Sequence, residues 1–391
     1  MRSTSKSRIF SCSAPEGVPR RSRTIVLAAN SCWYITNFRL GLVRALREAG
    51  YSPVAVAPPD PANEARLAEF RIGFEPLHVD RAGLNPIAEL DLLLRIRRLL
   101  KRLRPAAYLG FTVKPNIYGA LAASSLGIPV VANVSGLGTA FIRRGPLQRL
   151  VTGLYRIAFR SRTAVFFENP DDLRQFVDLR IVRADQARLV PGAGIDLDRF
   201  APTALPSEAP IFLMIARLLG DKGVREFVEA AGGLRPQLPQ ARFQLLGGVD
   251  EGNRTAVTRT ELQRWIDDGV IEYLGETSDV RPCIAGASAI VLPSYREGLP
   301  RSLLEGAAMG RPLIATDVPG CRELVDDGVN GFLCAVRDSG SLAQAMERFA
   351  GLPDDERAAM GAASRRKAEE RFDEGIVVDA YLDALARVRP N

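Results

Sequence analysis

The sequence predicts an α/β protein made of two tandem doubly wound domains that face a cleft. Short apolar runs rich in β-branched residues alternate with helical patterns along the chain. Such near-continuous apolar strands are typical of parallel sheets covered by helices on both faces. At 391 residues the chain is longer than one hydrophobic core normally organises. The alternating pattern also falls into two sets, which meet at the proline-bearing segment 191–210.

Five strands of the first set are predicted from apolar runs at 24–30, 52–59, 106–111, 130–136 and 163–169. A helix is predicted from Phe38 to Ala49, and Gly50 ends it. The second set repeats the scheme, with strands predicted at 211–218, 241–248, 271–275, 288–294 and 312–317. Ligands bind beyond the carboxyl ends of the strands in open sheets of this kind. Two facing Rossmann-like domains therefore predict a binding cleft between them.

These elements divide the chain into four segments. Residues 1–21 form a polar, basic tail, 22–195 the first Rossmann-like domain, and 196–373 the second. A last helix is predicted within 374–391, and we consider that it packs back on the first domain.

The composition excludes several classes of protein. Apolar residues make up 47% and charged residues 25%, as in a globular protein. No run approaches the roughly 20 apolar residues that span a bilayer, and the tail lacks a signal peptide, so we expect a cytoplasmic protein. The single histidine, His78, is interpreted as a structural residue at a strand end rather than part of a hydrolase triad or a multi-histidine metal site. The cysteines are interpreted as buried small hydrophobes rather than metal ligands: Cys12, Cys32, Cys283, Cys321 and Cys334.

Charge is divided unequally between the two halves. Residues 1–195 contain 29 Lys and Arg against 14 Asp and Glu, a net charge of +15, whereas residues 196–391 contain 23 against 31, a net charge of −8. Such asymmetry predicts different partners for the two domains. We expect the basic half to meet an anionic partner, either lipid headgroups or nucleic acid.

Two basic clusters favour a membrane as that partner. The segment 91–104 carries six Lys and Arg, with Leu90, Leu93, Leu100 and Leu103 on or near one helical stripe. The second cluster consists of Arg143, Arg144, Arg149, Arg156, Arg160 and Arg162. A surface helix packed on its own sheet explains the leucines but not the one-sided charge. Because interleaved aromatic residues and a recognisable nucleic-acid module are missing, we expect a peripheral, salt-sensitive attachment to an anionic membrane and no nucleic acid.

The stretch YREGLPRSLLEGAAMG places two glutamates eight positions apart, Glu297 in a loop and Glu305 within a helix predicted at 301–309. The residues that lead into this helix are Gly298, Leu299 and Pro300. Its free N–H groups and its dipole form an anion site that suits a diphosphate. Glu305 can accept two hydrogen bonds from the diol of a ribose, and Glu297 can reach the sugar beyond the phosphate. The arrangement predicts a nucleotide-sugar site, although the stretch taken alone fits a solvated glutamate beside a capped helix better.

Two cations follow the first strand of the second set, in IARLLGDKG. Arg217 and Lys222 stand five positions apart at the carboxyl end of this strand, in an otherwise acidic half. Fixed cations there would stabilise the charge that develops on a leaving diphosphate, whereas each cation taken singly also fits a surface turn. Gly247 follows the next strand and would let a nucleotide approach the backbone.

Together, RLLGDKG, the two-glutamate stretch and GRPLIATDVPGCRELVDDGVNGFL resemble the donor domain of the retaining GT-B glycosyltransferases of family 4. The resemblance implies that Arg217 and Lys222 hold the diphosphate of a UDP-sugar, Glu297 the donor sugar and Glu305 the ribose. It makes Glu297, Arg217 and Lys222 the catalytic residues and requires neither cofactor nor metal. Asp196 and Asp198 match the D-x-D pattern of a metal-binding motif, but we interpret them as part of a turn and the start of a helix.

The first half resembles a subgroup of that family which extends sugars linked to polyprenyl diphosphate. The stretches that carry this likeness are NSCWYITNFRLGLVRALREAGY, GFTVKPNIYGALAASSLGIPVVANVSGLGTAF, VFFENPDD and LVPGAGIDLDRF. The resemblance implies transfer of a hexose or N-acetylhexosamine to an undecaprenyl-diphosphate-linked saccharide, on the inner face of the plasma membrane. Residues expected on the acceptor side are Asn30, Asn37, Lys114, Asn116, Ser135 and Gly136.

One departure from the family concerns the catalytic base. Many relatives have a histidine where Ser135 and Gly136 stand here, and the sequence offers no replacement for it. The leaving diphosphate itself could remove the acceptor proton, whereas a double displacement would need a second carboxylate about 5 Å from the first. Two alternatives are an epimerase of the same fold, which the lone His78 disfavours, and a non-catalytic nucleotide-sugar-binding protein, which the four matching residues disfavour.

Overall fold

The computed structural model describes residues 22–388 apart from 80–84, 138–140, 142–144, 161–162, 207–208, 251 and 254. Two parallel sheets lie in the described part of the chain, each with helices on both faces. The predicted fold class, two tandem Rossmann-like doubly wound domains, is confirmed. The predictions for the tail 1–21 and for Cys12, Arg143, Arg144 and Arg162 lie outside the described residues.

The first sheet is built from the strands β1 (Thr24–Ala28), β2 (Ser52–Ala57), β3 (Gly73–Pro76), β4 (Ala107–Phe111), β5 (Val130–Val134), β6 (Thr163–Phe167) and β7 (Ala187–Leu189). Their order is β3-β2-β1-β4-β5-β6-β7, and all neighbours pair in parallel. The helices are α1 (Cys32–Phe38), α2 (Leu40–Glu48), α3 (Pro61–Glu69), α4 (Pro86–Leu103), α5 (Ala120–Ser125), α6 (Pro146–Ala158) and α7 (Pro170–Asp178). A π-helical turn, Pro115–Gly119, precedes α5.

The second sheet is built from β8 (Ile211–Ile215), β9 (Arg242–Leu246), β10 (Glu272–Tyr273), β11 (Ala289–Leu292), β12 (Leu313–Thr316) and β13 (Gly331–Cys334). Their order is β10-β9-β8-β11-β12-β13, again all parallel. The helices are α8 (Val224–Leu234), α9 (Arg259–Asp267), α10 (Arg281–Ala285), α11 (Arg301–Ala308), α12 (Cys321–Leu324), α13 (Ser339–Ala350), α14 (Asp354–Arg371) and α15 (Glu374–Val388). A short 3₁₀ turn, Gly220–Lys222, precedes α8.

Two differences from the predicted elements have local causes. The helix predicted at Phe38–Ala49 is wrong at its start, because Ser31 caps α1 and the backbone leaves helical values at Arg39 (φ −130°, ψ 10°) before α2 begins. Most strands also end earlier than predicted, although β4 ends at Phe111 as predicted. β8 ends at Ile215 and β11 at Leu292, and beyond these residues the chain enters the loops that carry the site.

The last helix, α15, belongs to the core of the first sheet. Its Tyr381 is fully buried, with ring centroids 4.8 Å from Phe166 and 6.1 Å from Phe111. The backbone of Asp373, just before α15, pairs with Ile195 in the segment that joins the two domains. The chain thus crosses between the domains twice, at neighbouring positions.

The isolated residues singled out from the sequence have ordinary surroundings. Cys32, Cys321 and Cys334 are buried and Cys283 is half-buried, as expected of small hydrophobes. His78 follows the end of β3, but its side chain is exposed.

The leucine stripe predicted on α4 is wrong for Leu90. Leu100 is buried and Leu93 and Leu103 pack against the core, whereas Leu90 is 57% exposed. At 100° per residue Leu90 lies about 120° around the helix from the buried Ile96.

Candidate active site

Two cavities lie in the cleft between the domains and meet at three side chains. The first cavity has a volume of about 420 Å³ and the second about 660 Å³. Among the described residues, Arg217, Lys222 and Glu297 line both. These are the three residues predicted to be catalytic, and the structure brings them together from the loops after β8 and β11.

Lys222 and Glu297 form the centre of this junction. Lys222 Nζ lies 2.6 Å from Glu297 Oε1, and the Ser294 hydroxyl donates to the same oxygen at 2.6 Å. The two charged side chains are only 23% and 12% exposed. Gly223 turns the chain from Lys222 into α8 with φ +76°, and a Cβ there would lie 2.1 Å from the Pro293 carbonyl oxygen. Only glycine therefore lets the lysine loop pack against the glutamate loop.

Arg217 is held less tightly than Lys222. Its side chain is 63% exposed and its Nη1 lies 3.1 Å from Asp250 Oδ2. An exposed ion pair of this kind contributes about 1 kcal/mol or less. Arg217 can therefore turn from Asp250 towards an anion in the cleft at small cost.

The loop that leads into α11 presents its backbone to the cleft and to the first domain. Gly298 lines the first cavity and Pro300 the second, whereas Leu299 is buried and lines neither. The Leu299 N–H donates to the buried Glu168 carboxylate, which follows β6. Burial raises the pKa of the Glu168 carboxyl above its ordinary value, and Arg39, 3.9 Å away, opposes that shift.

Glu305 lies one turn inside α11 and lines the second cavity. Its carboxylate accepts a hydrogen bond from Arg301 Nη2 at 3.1 Å. Burial raises the pKa of Glu305, and the neighbouring Arg301 charge lowers it. The same arginine donates to the Gly194 carbonyl and lies 5.2 Å over the Phe38 ring, so it joins α11 to the first domain.

The second cavity is lined by both apolar and polar side chains, as is usual for ligand pockets. Its apolar residues include Trp33, Phe38, Ile215, Val280 and Leu292. Asn37 also lines this cavity, beside α11, so it lies apart from the other residues predicted on the acceptor side.

The first cavity is lined by five of the six residues predicted on the acceptor side: Asn30, Lys114, Asn116, Ser135 and Gly136. Lys114 forms a close ion pair with Glu89, and the pair is mostly buried, so the lysine charge is already balanced. Asn116 is buried and donates to the Asn133 carbonyl at 2.7 Å. Contact of these residues with an acceptor stays a prediction.

Gly247 has a packing role that the sequence did not indicate. It lines neither cavity. Its φ is +145°, and a Cβ would lie 1.8 Å from the Ala216 carbonyl oxygen. The glycine lets the ends of β8 and β9 approach each other, and contact with a nucleotide stays a prediction.

Several site residues of the first domain were missed from the sequence. Asp172, which is fully buried, forms a close ion pair with Arg296 of the second domain. Asn169 donates to the Gly298 carbonyl at 3.0 Å. A Cβ at Gly298 would lie 2.3 Å from the Ser135 carbonyl oxygen. The FENPDD motif carries two of these residues, but nothing in one sequence pairs them with a loop more than 120 positions away.

Thr112 is a strained residue in the first cavity. It has φ +70°, where a β-branched side chain is rare, and it directly follows β4. Its hydroxyl oxygen is buried without a hydrogen-bond partner among the described residues. Strain of this kind is typical of functional sites.

The described residues contain neither a metal-binding cluster nor a membrane-spanning helix. No group of three or more His, Cys, Asp and Glu side chains in residues 22–388, outside the gaps, is placed to hold a metal ion. No helix in the same part of the chain combines the length and the apolar character needed to cross a bilayer.

Comparison with known proteins identifies both halves of the chain. Residues 35–193 match the family described as glycosyl transferase 4-like domain, and residues 209–351 match glycosyl transferases group 1. The chain is 29% identical over 376 residues to N,N'-diacetylbacillosaminyl-diphospho-undecaprenol alpha-1,3-N-acetylgalactosaminyltransferase of Campylobacter jejuni, covering 91% of this chain and 96% of that protein.

Two further proteins extend the comparison. The UDP-Gal:alpha-D-GlcNAc-diphosphoundecaprenol alpha-1,3-galactosyltransferase of Escherichia coli is 25% identical, with 68% of this chain and 72% of that protein covered. The crystal structure of Anabaena HepE with UDP and glucose has a TM-score of 0.77 at 19% identity and covers 93% of this chain and 99% of that one. At such low identity the second likeness shows the GT-B fold alone.

Proposed function

We propose a specific reaction for this chain, which belongs to the GT-B glycosyltransferases that join a 4-like domain to a group 1 domain. In the proposed reaction, a hexose or N-acetylhexosamine moves from a UDP-sugar to an undecaprenyl-diphosphate-linked saccharide with retention of configuration. The observation that carries the proposal is the junction of the two cavities at Arg217, Lys222 and Glu297. A donor in one cavity and an acceptor in the other would meet at these side chains.

The proposed chemistry breaks the bond between the anomeric carbon and the diphosphate oxygen of the donor. Negative charge develops on that oxygen, and Lys222 and Arg217 stabilise it from fixed positions. An acceptor hydroxyl in the first cavity forms the new bond on the same face of the sugar, and its proton passes to the leaving diphosphate. Glu297, already fixed by Lys222 and Ser294, binds a sugar hydroxyl and orients the anomeric carbon. No metal or cofactor enters this scheme.

The second cavity is the proposed site of the nucleoside. Its apolar wall suits the base, and Glu305 suits the ribose diol because a carboxylate accepts two hydrogen bonds at once. The N–H groups at the start of α11 face the diphosphate between them. The expected donor-side contacts are Arg217, Lys222, Gly247, Glu297, Gly298, Leu299, Pro300 and Glu305.

The proposed acceptor rests on the names of the relatives and on charge. Both named transferases act on sugars linked to diphospho-undecaprenol, and neither is an epimerase. Such an acceptor is anchored in a bilayer, and the first domain carries the net positive charge that an anionic lipid surface attracts. We therefore propose a peripheral location on the inner face of the plasma membrane, without nucleic acid as a partner.

Release of UDP in the presence of a polyprenyl-diphosphate-linked saccharide tests the proposed function. Glu297→Gln keeps the shape of the side chain and removes the charge, and we expect turnover to fall by about 100-fold or more. Glu370→Gln, on an exposed part of α14, serves as the control. Full turnover of Glu297→Gln, or UDP release that does not depend on the lipid-linked saccharide, would refute the proposal.

A further inference from the structure

An unusual share of the exposed apolar side chains lies on two helices of the first domain. Among the described residues twelve large apolar side chains are exposed, and half of them lie on α4 and α6. The six are Ile87, Leu90, Leu94, Leu147, Leu150 and Ile157, with exposures from 39% to 80%. Both helices pack on the same face of the first sheet, so these residues project from one helical layer.

The outer face of α6 is itself amphipathic. Leu147, Leu150 and Ile157 are exposed on one side of the helix and form a stripe, here called the α6 stripe, bordered by the half-buried Leu154. Arg149 and Arg156 lie on the adjoining side of the helix, Arg160 follows its end, and α6 contains no acidic residue. The inward face is occupied by the buried Val151 and Tyr155. A helix with a packed inner face and an apolar stripe beside arginines is typical of one that lies in a membrane interface.

The charge around α6 argues for an anionic occupant. Between Asp91 and Glu168 the chain has thirteen Lys and Arg and no Asp or Glu. A second copy of the chain docked through the same face would bring two strongly basic surfaces together, which is unfavourable. A bilayer that contains anionic lipids complements both the stripe and the arginines.

Helix α6 adjoins the proposed acceptor cavity through its inward face. Tyr155 of α6 lines the first cavity, as do Gly136 and Leu137 in the segment before the helix. The helix begins near the carboxyl edge of the sheet, where that cavity lies. A membrane resting on α6 therefore lies beside the cavity in which a lipid-linked saccharide must be bound.

We propose that the first domain docks on anionic bilayers by inserting the α6 stripe below the headgroups. The flanking arginines contact lipid phosphates, and the exposed start of α4 lies at the edge of the membrane contact. Insertion adds an apolar, salt-resistant component to the attraction expected from charge alone. The inference rests on the proposed function, because an enzyme needs to dock on a membrane only if its acceptor is linked to a lipid. Binding itself needs neither donor nor acceptor.

Flotation of the full-length protein with vesicles tests the inference. The vesicles contain phosphatidylglycerol and phosphatidylethanolamine, with phosphatidylcholine vesicles as the uncharged comparison. The double variant Leu150→Ser/Ile157→Ser is expected to partition about tenfold more weakly at every salt concentration, because two apolar side chains no longer insert. Arg149→Gln and Arg160→Gln are expected to lose about fivefold each at low salt and little at high salt.

A control removes two exposed apolar side chains from the second domain. Val329 and Val336 are 58% and 43% exposed on the second domain, and Val329→Ser/Val336→Ser is expected to bind vesicles like the unchanged protein. Melting temperatures of all variants are expected to agree, because every substituted side chain is exposed.

Three results would overturn the inference: unchanged binding of the Leu150→Ser/Ile157→Ser variant, equal loss in the Val329→Ser/Val336→Ser control, or a change in sedimentation mass without a change in vesicle binding. The last result would identify the stripe as a contact between copies. Turnover of a detergent-dispersed acceptor without vesicle binding would sink this inference and leave the proposed function. Vesicle binding as expected, without transfer to any lipid-linked saccharide, would refute the proposed function and leave this inference.

Discussion

Replacing Gly298 by alanine is expected to slow turnover without unfolding either domain. A Cβ at this position would lie 2.3 Å from the Ser135 carbonyl oxygen and 3.0 Å from Glu168 Oε2, both in the first domain. The backbone oxygen cannot rotate away, so the domains must separate by about 1 Å to restore normal contact. A misplacement of about 1 Å between donor and acceptor lowers turnover by about 100-fold, or about 2.7 kcal/mol in the barrier.

The assay for this prediction separates domain closure from donor binding. Turnover is measured by UDP release, and UDP affinity by calorimetry. We expect Gly298→Ala to lower kcat and to change the Kd for UDP by less than about threefold, since UDP contacts chiefly the second domain. Gly233→Ala is the matched control, because a Cβ at that glycine of the same domain meets no atom within 4 Å. A Gly298→Ala enzyme with unchanged kcat would refute the close approach of the two domains.

Three further predictions concern single side chains. Lys222→Met is expected to reduce kcat by about 100-fold or more by removing a fixed cation beside the leaving group, and kcat within twofold of the unchanged enzyme would contradict this. Thr112→Gly is expected to raise the free energy of unfolding by about 1 kcal/mol by relieving φ +70°, while lowering turnover; denaturant unfolding that shows destabilisation would contradict the strain. Burial raises the pKa of Glu305, so its protonated form favours folding and that stability is lost as pH rises through the raised pKa. The melting temperature of Glu305→Gln is therefore expected to rise relative to the unchanged protein as pH increases above about 4, and a constant difference would count against it.

The sheets could be predicted because their strands are apolar on both faces. β1, β4 and β5 are almost wholly buried, so each is a continuous apolar run in the sequence. β3 was missed because it is an edge strand with no fully buried residue, and β7 because it has only three residues. Burial on both faces therefore made the central strands easy to predict, whereas the edge strand β10, with two half-buried residues, was predicted from the run 271–275 without it.

The residues proposed for the donor side could be identified from the sequence because they lie close together along the chain. Glu297 and Glu305 are eight positions apart in one loop-helix unit, and Arg217 and Lys222 are separated by one loop. The contacts that join the domains were not predictable, because Asn169 and Gly298 are 129 positions apart. Asn37 shows the same limit, since its position on the wall of the second cavity depends on how the domains face each other.

A structure of the protein with UDP bound tests the central claim most directly. We expect the diphosphate against Lys222 and the N-terminus of α11, with Arg217 turned away from Asp250 and the ribose hydroxyls on Glu305. Density for UDP elsewhere, or calorimetry without uptake of UDP, would contradict the account and leave the two-domain fold as its surviving part.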